Sequence, residues 1–168
     1  DKKICFAPDK YLGRYIAKKT GRDMTIWDGS CQVHEIFSET EVINLSAKYP
    51  DAVILAHPEC PDNILDYADF IGSTSAIIKE AVNNTAKQFI ILTEPGVIHQ
   101  MKKFAPDKEF IPVGSIAGCA CNECPYMRLN TIEKMIKALE TLEPQIILRE
   151  DLMRDALVPL ERMLELSK

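Results

Sequence analysis

The sequence predicts an α/β protein built of three-layer αβα sandwich units with short parallel sheets. Two observations carry that reading. Short apolar runs alternate with amphipathic helical patterns along the whole chain, the signature of repeated strand–helix units. One run, Ala52-Val-Ile-Leu-Ala56, is apolar throughout, as is a strand covered on both faces of a parallel sheet.

The elements follow in order. Lys3–Ala7 reads as a strand, and Asp9–Lys19 as a helix with Leu12, Tyr15 and Ile16 on one face. Gly21 stands in the usual terminal position of that helix. Met24–Trp27 is a second strand, with Asp28–His34 as the loop at its end. Ser38-Glu-Thr-Glu41 has a capping-box pattern and opens a helix running to about Lys48. After Ala52–Ala56, Pro58 stops the strand, and Pro61 with Asp62 can open a short helix. Asp69-Phe-Ile71 is a further short run, followed by Gly72-Ser-Thr-Ser75 and a helix near Thr74–Asn83. Gln88–Leu92 and Glu109–Val113 are strands, with a helix over Pro95–Phe104 between them. Helices over Thr131–Leu142 and Glu150–Leu166 flank a short Ile146-Ile-Leu148 run.

Composition narrows the function classes. The 168 residues are 46% hydrophobic and 27% charged, ordinary for a globular protein. A net charge of −5 argues against nucleic acid or an anionic membrane as the main partner. No run of about 18 apolar residues and no signal-peptide pattern is present, so a cytoplasmic location is the default expectation. The chain starts at Asp1, directly before a strand-like run, which suggests a cut through a larger protein. Six cysteines under that default point to metal or redox chemistry rather than a disulfide framework. Cys5 reads as a small buried hydrophobe within a strand, and Cys60 as a loop thiol.

The chemistry-bearing residues recur at strand ends: Cys31 with His34, His57 with Glu59, Thr93 with Glu94, then the loop bearing Cys124. In parallel sheets all of these lie along the carboxyl edge, where open α/β sheets bind ligands. Ser73 and Thr74 precede a helix, and hydroxyl and backbone donors there suit a phosphate or carboxylate. The plainer reading makes His57 and Glu59 a solvated loop and Ser73 an ordinary cap. Gly118-Cys-Ala-Cys-Asn-Glu-Cys-Pro-Tyr-Met127 is the most specific local signal. The two-residue spacing of Cys121 and Cys124 recurs in zinc and iron–sulfur sites. Zinc would take Cys31, His34, Cys121 and Cys124 as a closed set; a redox site would pair Cys121 with Cys124 as a dithiol. Spacing does not choose among these.

Six motifs together resemble the quinolinate synthase family. They are Asp9-Lys-Tyr-Leu-Gly-Arg-Tyr15, Trp27-Asp-Gly-Ser-Cys-Gln-Val-His34, His57-Pro-Glu-Cys-Pro61, Gly72-Ser-Thr-Ser75, Thr93-Glu-Pro-Gly-Val-Ile-His99 and Cys124-Pro-Tyr-Met127. The resemblance spans nearly the whole chain in the right order. It implies three similar α/β units around a [4Fe–4S] cluster, each supplying one cysteine; here these would be Cys31 and Cys124. The family's first cysteine and amino-terminal substrate contacts have no counterpart, so about two of three units are expected. Residues 1–36 would complete the middle unit, 37–118 form the third, and 119–168 hold the cysteine loop and terminal helices. Cys119 and Cys121 depart from a plain ligand loop, which leaves a redox switch open.

The implied reaction condenses iminoaspartate with dihydroxyacetone phosphate to quinolinate, phosphate and water, in de novo NAD biosynthesis. A cluster held by three thiolates leaves one iron open as a Lewis acid. On this resemblance His34 and His57 hold substrate carboxylates, Glu59 does acid–base work with a raised pKa, and Ser73 and Thr74 bind phosphate or carboxylate. Glu94 is a weaker candidate for orienting a site histidine, and His99 reads as a supporting or packing residue. L-aspartate oxidase is the candidate upstream supplier of iminoaspartate. The chain alone is expected to be inactive.

Overall fold

The computed structural model describes residues 2–114 and 122–167. They fall into two compact units, Asp1–Pro125 and Tyr126–Lys168. In the first unit β1 (Ile4–Phe6) pairs in parallel with β2 (Met24–Ile26), joined by α1 (Lys10–Thr20). Helix α1 starts because the Asp9 side chain accepts from Leu12 N, and it stops at Gly21, whose φ of 66° is left-handed. Gly13 lets it lie close to the strands, since a Cβ there would sit 2.9 Å from both Ile26 and Phe6 side-chain atoms. Trp27, the chain's single tryptophan, follows β2 and is 69% exposed.

The chain then forms α2 (Gln32–Glu35) and α3 (Glu39–Lys48), the latter capped by Ser38 as the capping box predicts. Four parallel strands follow: β3 (Val53–Ala56), β4 (Phe70–Ile71), β5 (Gln88–Leu92) and β6 (Glu109–Pro112). Between them lie α4 (Asp62–Leu65), α5 (Thr74–Asn83) and α6 (Val97–Phe104). The spatial order is β4-β3-β5-β6.

Strand periodicity sorts the core into two faces. Ile54, Ala56, Ile90 and Leu92 pack with Phe37, Val42 and Ile64 from the α3 and α4 side. Leu55, Phe89 and Ile91 pack with Ile77 and Ala81 of α5 and Met101 of α6 on the other. The sheet is thus the middle of an αβα sandwich, as predicted. Its strand order reverses between β3 and β5, and the carboxyl ends of those two strands form the topological switch point.

In the second unit a 3-10 turn at Met127–Leu129 precedes α7 (Ile132–Thr141) and α8 (Glu150–Leu166). Thr131 caps α7. The Ile146–Leu148 run forms neither helix nor strand.

One cysteine expectation is corrected, and another cysteine, in a loop as expected, proves buried. Cys5 is exposed, because the middle residue of β1 points away from α1. Cys60 is wholly buried in the core, its thiol directed at Leu92 O 3.5 Å away. The expected loop over Asp28–His34 in fact ends in α2, where Glu35 N bonds Cys31 O at 2.9 Å. Cys119 and Cys121 lie outside the described residues, and with them the dithiol and the four-ligand zinc set.

Candidate active site

Cys31 follows β2 and stands at the start of α2. A buried carboxylate fixes its backbone. Asp9 Oδ1 accepts from Leu12 N at 2.8 Å and Oδ2 from Cys31 N at 2.9 Å. Outside the turn, Glu35 accepts from Ser30 Oγ and Tyr11 OH and pairs with Lys10 Nζ at 3.1 Å. A third tie comes from the far end of the unit, where buried Asn122 donates to Val33 O. Residues adjacent to Cys124 are thereby held against the turn that carries Cys31 and His34.

His34 reaches from α2 to the switch point. Its Nε2 lies 3.0 Å from the Thr93 hydroxyl, just beyond β5. Just beyond β3, His57 N donates to Leu92 O at 3.0 Å. The two imidazoles stack, with centroids 4.6 Å apart and 17° between planes. Glu59 completes the group: its Oε2 is 3.1 Å from His34 Nδ1 and 3.8 Å from His57 Nδ1. The 3.1 Å contact lacks hydrogen-bond geometry, so His34 Nδ1 is buried without a hydrogen-bond partner and the attraction there is electrostatic. Cys31 Sγ, a His34 ring nitrogen and a Glu59 carboxylate oxygen all lie within 4.8 Å of one another, a set that could hold a metal ion. A cavity of about 170 Å³ lined by Pro8, Asp9, Ser30, Cys31 and Glu59 opens beside them.

The electrostatics follow from this packing. Burial pushes the His34 pKa down, but Cys31 and Glu59 outweigh it and raise it to about 9. His34 in turn holds the Cys31 thiol below its ordinary value. His57 is lowered, first by burial and then by the charge of His34. Glu59 is lowered too, chiefly by His34. A raised Glu59 pKa is the expectation beside a bound cluster; among the protein's own groups, the two imidazoles that face the carboxylate act in the opposite direction.

Of the residues singled out in the sequence, Cys31, His34, His57 and Glu59 converge. Ser73 and Thr74 lie exposed at the start of α5, beyond the neighbouring strand β4; Ser73 Oγ accepts from Ala76 N at 3.3 Å. Cys124 is a half-buried free thiol. Glu94 turns back to its own loop, accepting from Gly96 N at 2.7 Å, and Thr93 holds the histidine instead. His99 is exposed on α6. Sequence reasoning named Thr93 as a strand-end group without giving it a role, and missed Asp9 as a support. Each is a polar residue flanking an apolar element, the available signal, and each is buried.

A parallel sheet with a thiol, two imidazoles and a carboxylate gathered at its switch point defines an α/β protein with a potential metal- and anion-binding site on the carboxyl edge. Comparison makes this particular. The sequence profile of the quinolinate synthetase A protein family matches residues 1–165, and the chain belongs to that family. Curated relatives carry the name quinolinate synthase. The one from Microcystis aeruginosa is 53% identical over 98% of this chain and 51% of its own length. That from Synechocystis sp. is 53% identical over 99% and 52%, and that from Chloroherpeton thalassium 54% over 100% and 52%. The chain therefore spans about half the length of the curated relatives it matches.

Proposed function

We propose that the chain is part of a quinolinate synthase that condenses iminoaspartate with dihydroxyacetone phosphate, releasing quinolinate, phosphate and water, in de novo NAD biosynthesis. The observation that carries this reading is the convergence of Cys31, His34, His57 and Glu59 in a chain of this family. The cofactor is a [4Fe–4S] cluster, with Cys31 and Cys124 as the thiolates contributed here. Two observations fit that group. Cys31 is half-buried with a depressed pKa, and thiolate is the form that binds iron. The Asn122–Val33 bond tethers the Cys124 segment to the Cys31 turn. When bound, the cluster supplies a Lewis-acidic iron for a substrate oxygen.

The protein's own groups do the rest. His34, protonated at neutral pH, holds a substrate carboxylate, and Thr93 fixes its ring. His57, largely neutral, accepts a hydrogen bond from Glu59 N at Nδ1, at 3.4 Å, which directs its Nε2–H to substrate. Glu59, ionised, accepts the protons released in condensation and dehydration and returns them to leaving hydroxyls. Ser73 and Thr74, at the start of α5, take the phosphate or a carboxylate. Residues 1–36 complete a middle unit, 37–118 a third, and 119–168 the cysteine loop and terminal helices. No helix among the described residues is long and apolar enough to cross a membrane; the enzyme works in the cytoplasm, with L-aspartate oxidase supplying iminoaspartate.

The test places Cys31→Ala, Cys124→Ala and Cys5→Ala in a full-length quinolinate synthase carrying this sequence, reconstitutes each anaerobically with iron and sulfide, and follows with metal analysis and a quinolinate assay. Iron and sulfide are lost in the first two variants and kept in the third. Full iron content in Cys124→Ala would move that ligand to Cys119 or Cys121. The chain alone is inactive beside a full-length relative. Comparable turnover would overturn the reading that catalysis needs the half of the relatives' length that this chain does not span.

A further inference from the structure

We propose that the cluster-free chain binds a single divalent cation of the zinc class through Cys31 Sγ, His34 Nδ1 and the Glu59 carboxylate. The site is mononuclear, does not use the cysteine loop, and stands independently of the quinolinate synthase reading.

The donor atoms come first. One thiolate, one imidazole nitrogen and one carboxylate oxygen within 4.8 Å of one another are a three-ligand set. Such a set, with water as fourth ligand, is what open zinc sites use. Metal–ligand bonds of about 2.0–2.3 Å require only that Cys31 and Glu59 draw in by small rotations. Second, His34 Nδ1 is buried, lacks a hydrogen-bond partner and faces the other two donors. Metal binding would displace the ring proton and replace the 3.1 Å contact of Nδ1 with Glu59 by a bond from each to the same ion.

Third, the supports a metal site needs are in place. The other nitrogen of His34 meets the Thr93 hydroxyl at 3.0 Å, which fixes the ring and leaves Nδ1 for the metal. Asp9 fixes the backbone of Cys31 through a 2.9 Å bond. The 170 Å³ cavity lined by Cys31 and Glu59 gives a hydrated ion its path in. The mixed donor set selects a borderline ion such as zinc or cobalt over magnesium or calcium, which prefer all-oxygen shells.

The experiment titrates the metal-free chain with cobalt(II) alone, anaerobically, and then displaces it with zinc. One equivalent of cobalt gives a thiolate-to-metal charge-transfer band and the intense visible bands of a four-coordinate ion, and zinc abolishes both. Glu59→Gln, which keeps size and shape at a half-buried position, weakens zinc at least tenfold. Thr93→Val, which removes only the support behind His34, weakens it about 10–100-fold. Cys31→Ser removes the charge-transfer band, and Cys124→Ala, whatever it does to iron and sulfide, leaves the cobalt spectrum as it was. Undiminished affinity in Glu59→Gln, or loss of the cobalt spectrum in Cys124→Ala, would overturn the site. None of these readouts depends on quinolinate formation, so failure here and failure of the proposed reaction are separately visible.

Discussion

Asp9 holds two backbone donors with one buried carboxylate, the Leu12 amide of α1 and the Cys31 amide of the site turn. Asp9→Ala removes a helix cap, at about 0.5–2 kcal/mol. It also orphans a part-buried amide, at about 1–3 kcal/mol. A total loss near 2–4 kcal/mol in urea unfolding is expected, with Asp9→Asn milder because an amide oxygen can still cap. The cysteines give a second expectation at this scale. Burial raises the Cys60 pKa strongly, and its side chain is wholly covered. In native alkylation followed by peptide mapping, Cys5 and Cys31 label while Cys60 stays protected until denaturant is added. Early labelling of Cys60 would contradict its place in the core.

At the scale of elements, the link between α3 and α4 is polar and pH-sensitive. Glu39 accepts from Asn63 Nδ2 and Tyr67 OH, each at 2.9 Å. The Asn63 bond first, then Tyr67, lowers its pKa. A carboxyl lowered in the folded state contributes stability above its unfolded pKa, and that contribution is lost as pH falls through the folded one. Glu39→Gln should therefore lower the denaturation midpoint at neutral pH and converge with the parent chain under acid conditions. An equal gap at both pH values would rule out the carboxylate as the cause. The elements themselves were largely legible: α5, β5 and α8 end where periodicity and capping place them. Helix α2 was not, since four residues carry no period and its geometry comes from tertiary ties through Asp9, Thr93 and Asn122. The site was legible as far as Cys31, His34, His57 and Glu59, because strand-end position is a local signal. The lowering of the Glu59 pKa by the protein's own groups was not, because it depends on which side chains face it across the switch point.

Across the whole molecule, burial is concentrated in the first unit. Phe89, Ile90, Ile91 and Leu92 of β5 are fully covered, whereas α7 and α8 contain no buried residue. Amide exchange should accordingly be slowest in β5 and β3 and fast throughout α7 and α8. Protection of α8 equal to that of β5 would show that its apolar residues find cover in solution.

Trp27 gives the protein an optical consequence. A lone, exposed indole four residues before Cys31 makes ultraviolet emission a report on one address, with no second tryptophan to subtract. Its spectrum should be that of an indole in water, readily quenched by iodide. Cobalt seated at Cys31 should dim it by energy transfer while zinc leaves it bright, so the occupant of the site can be followed by fluorescence alone.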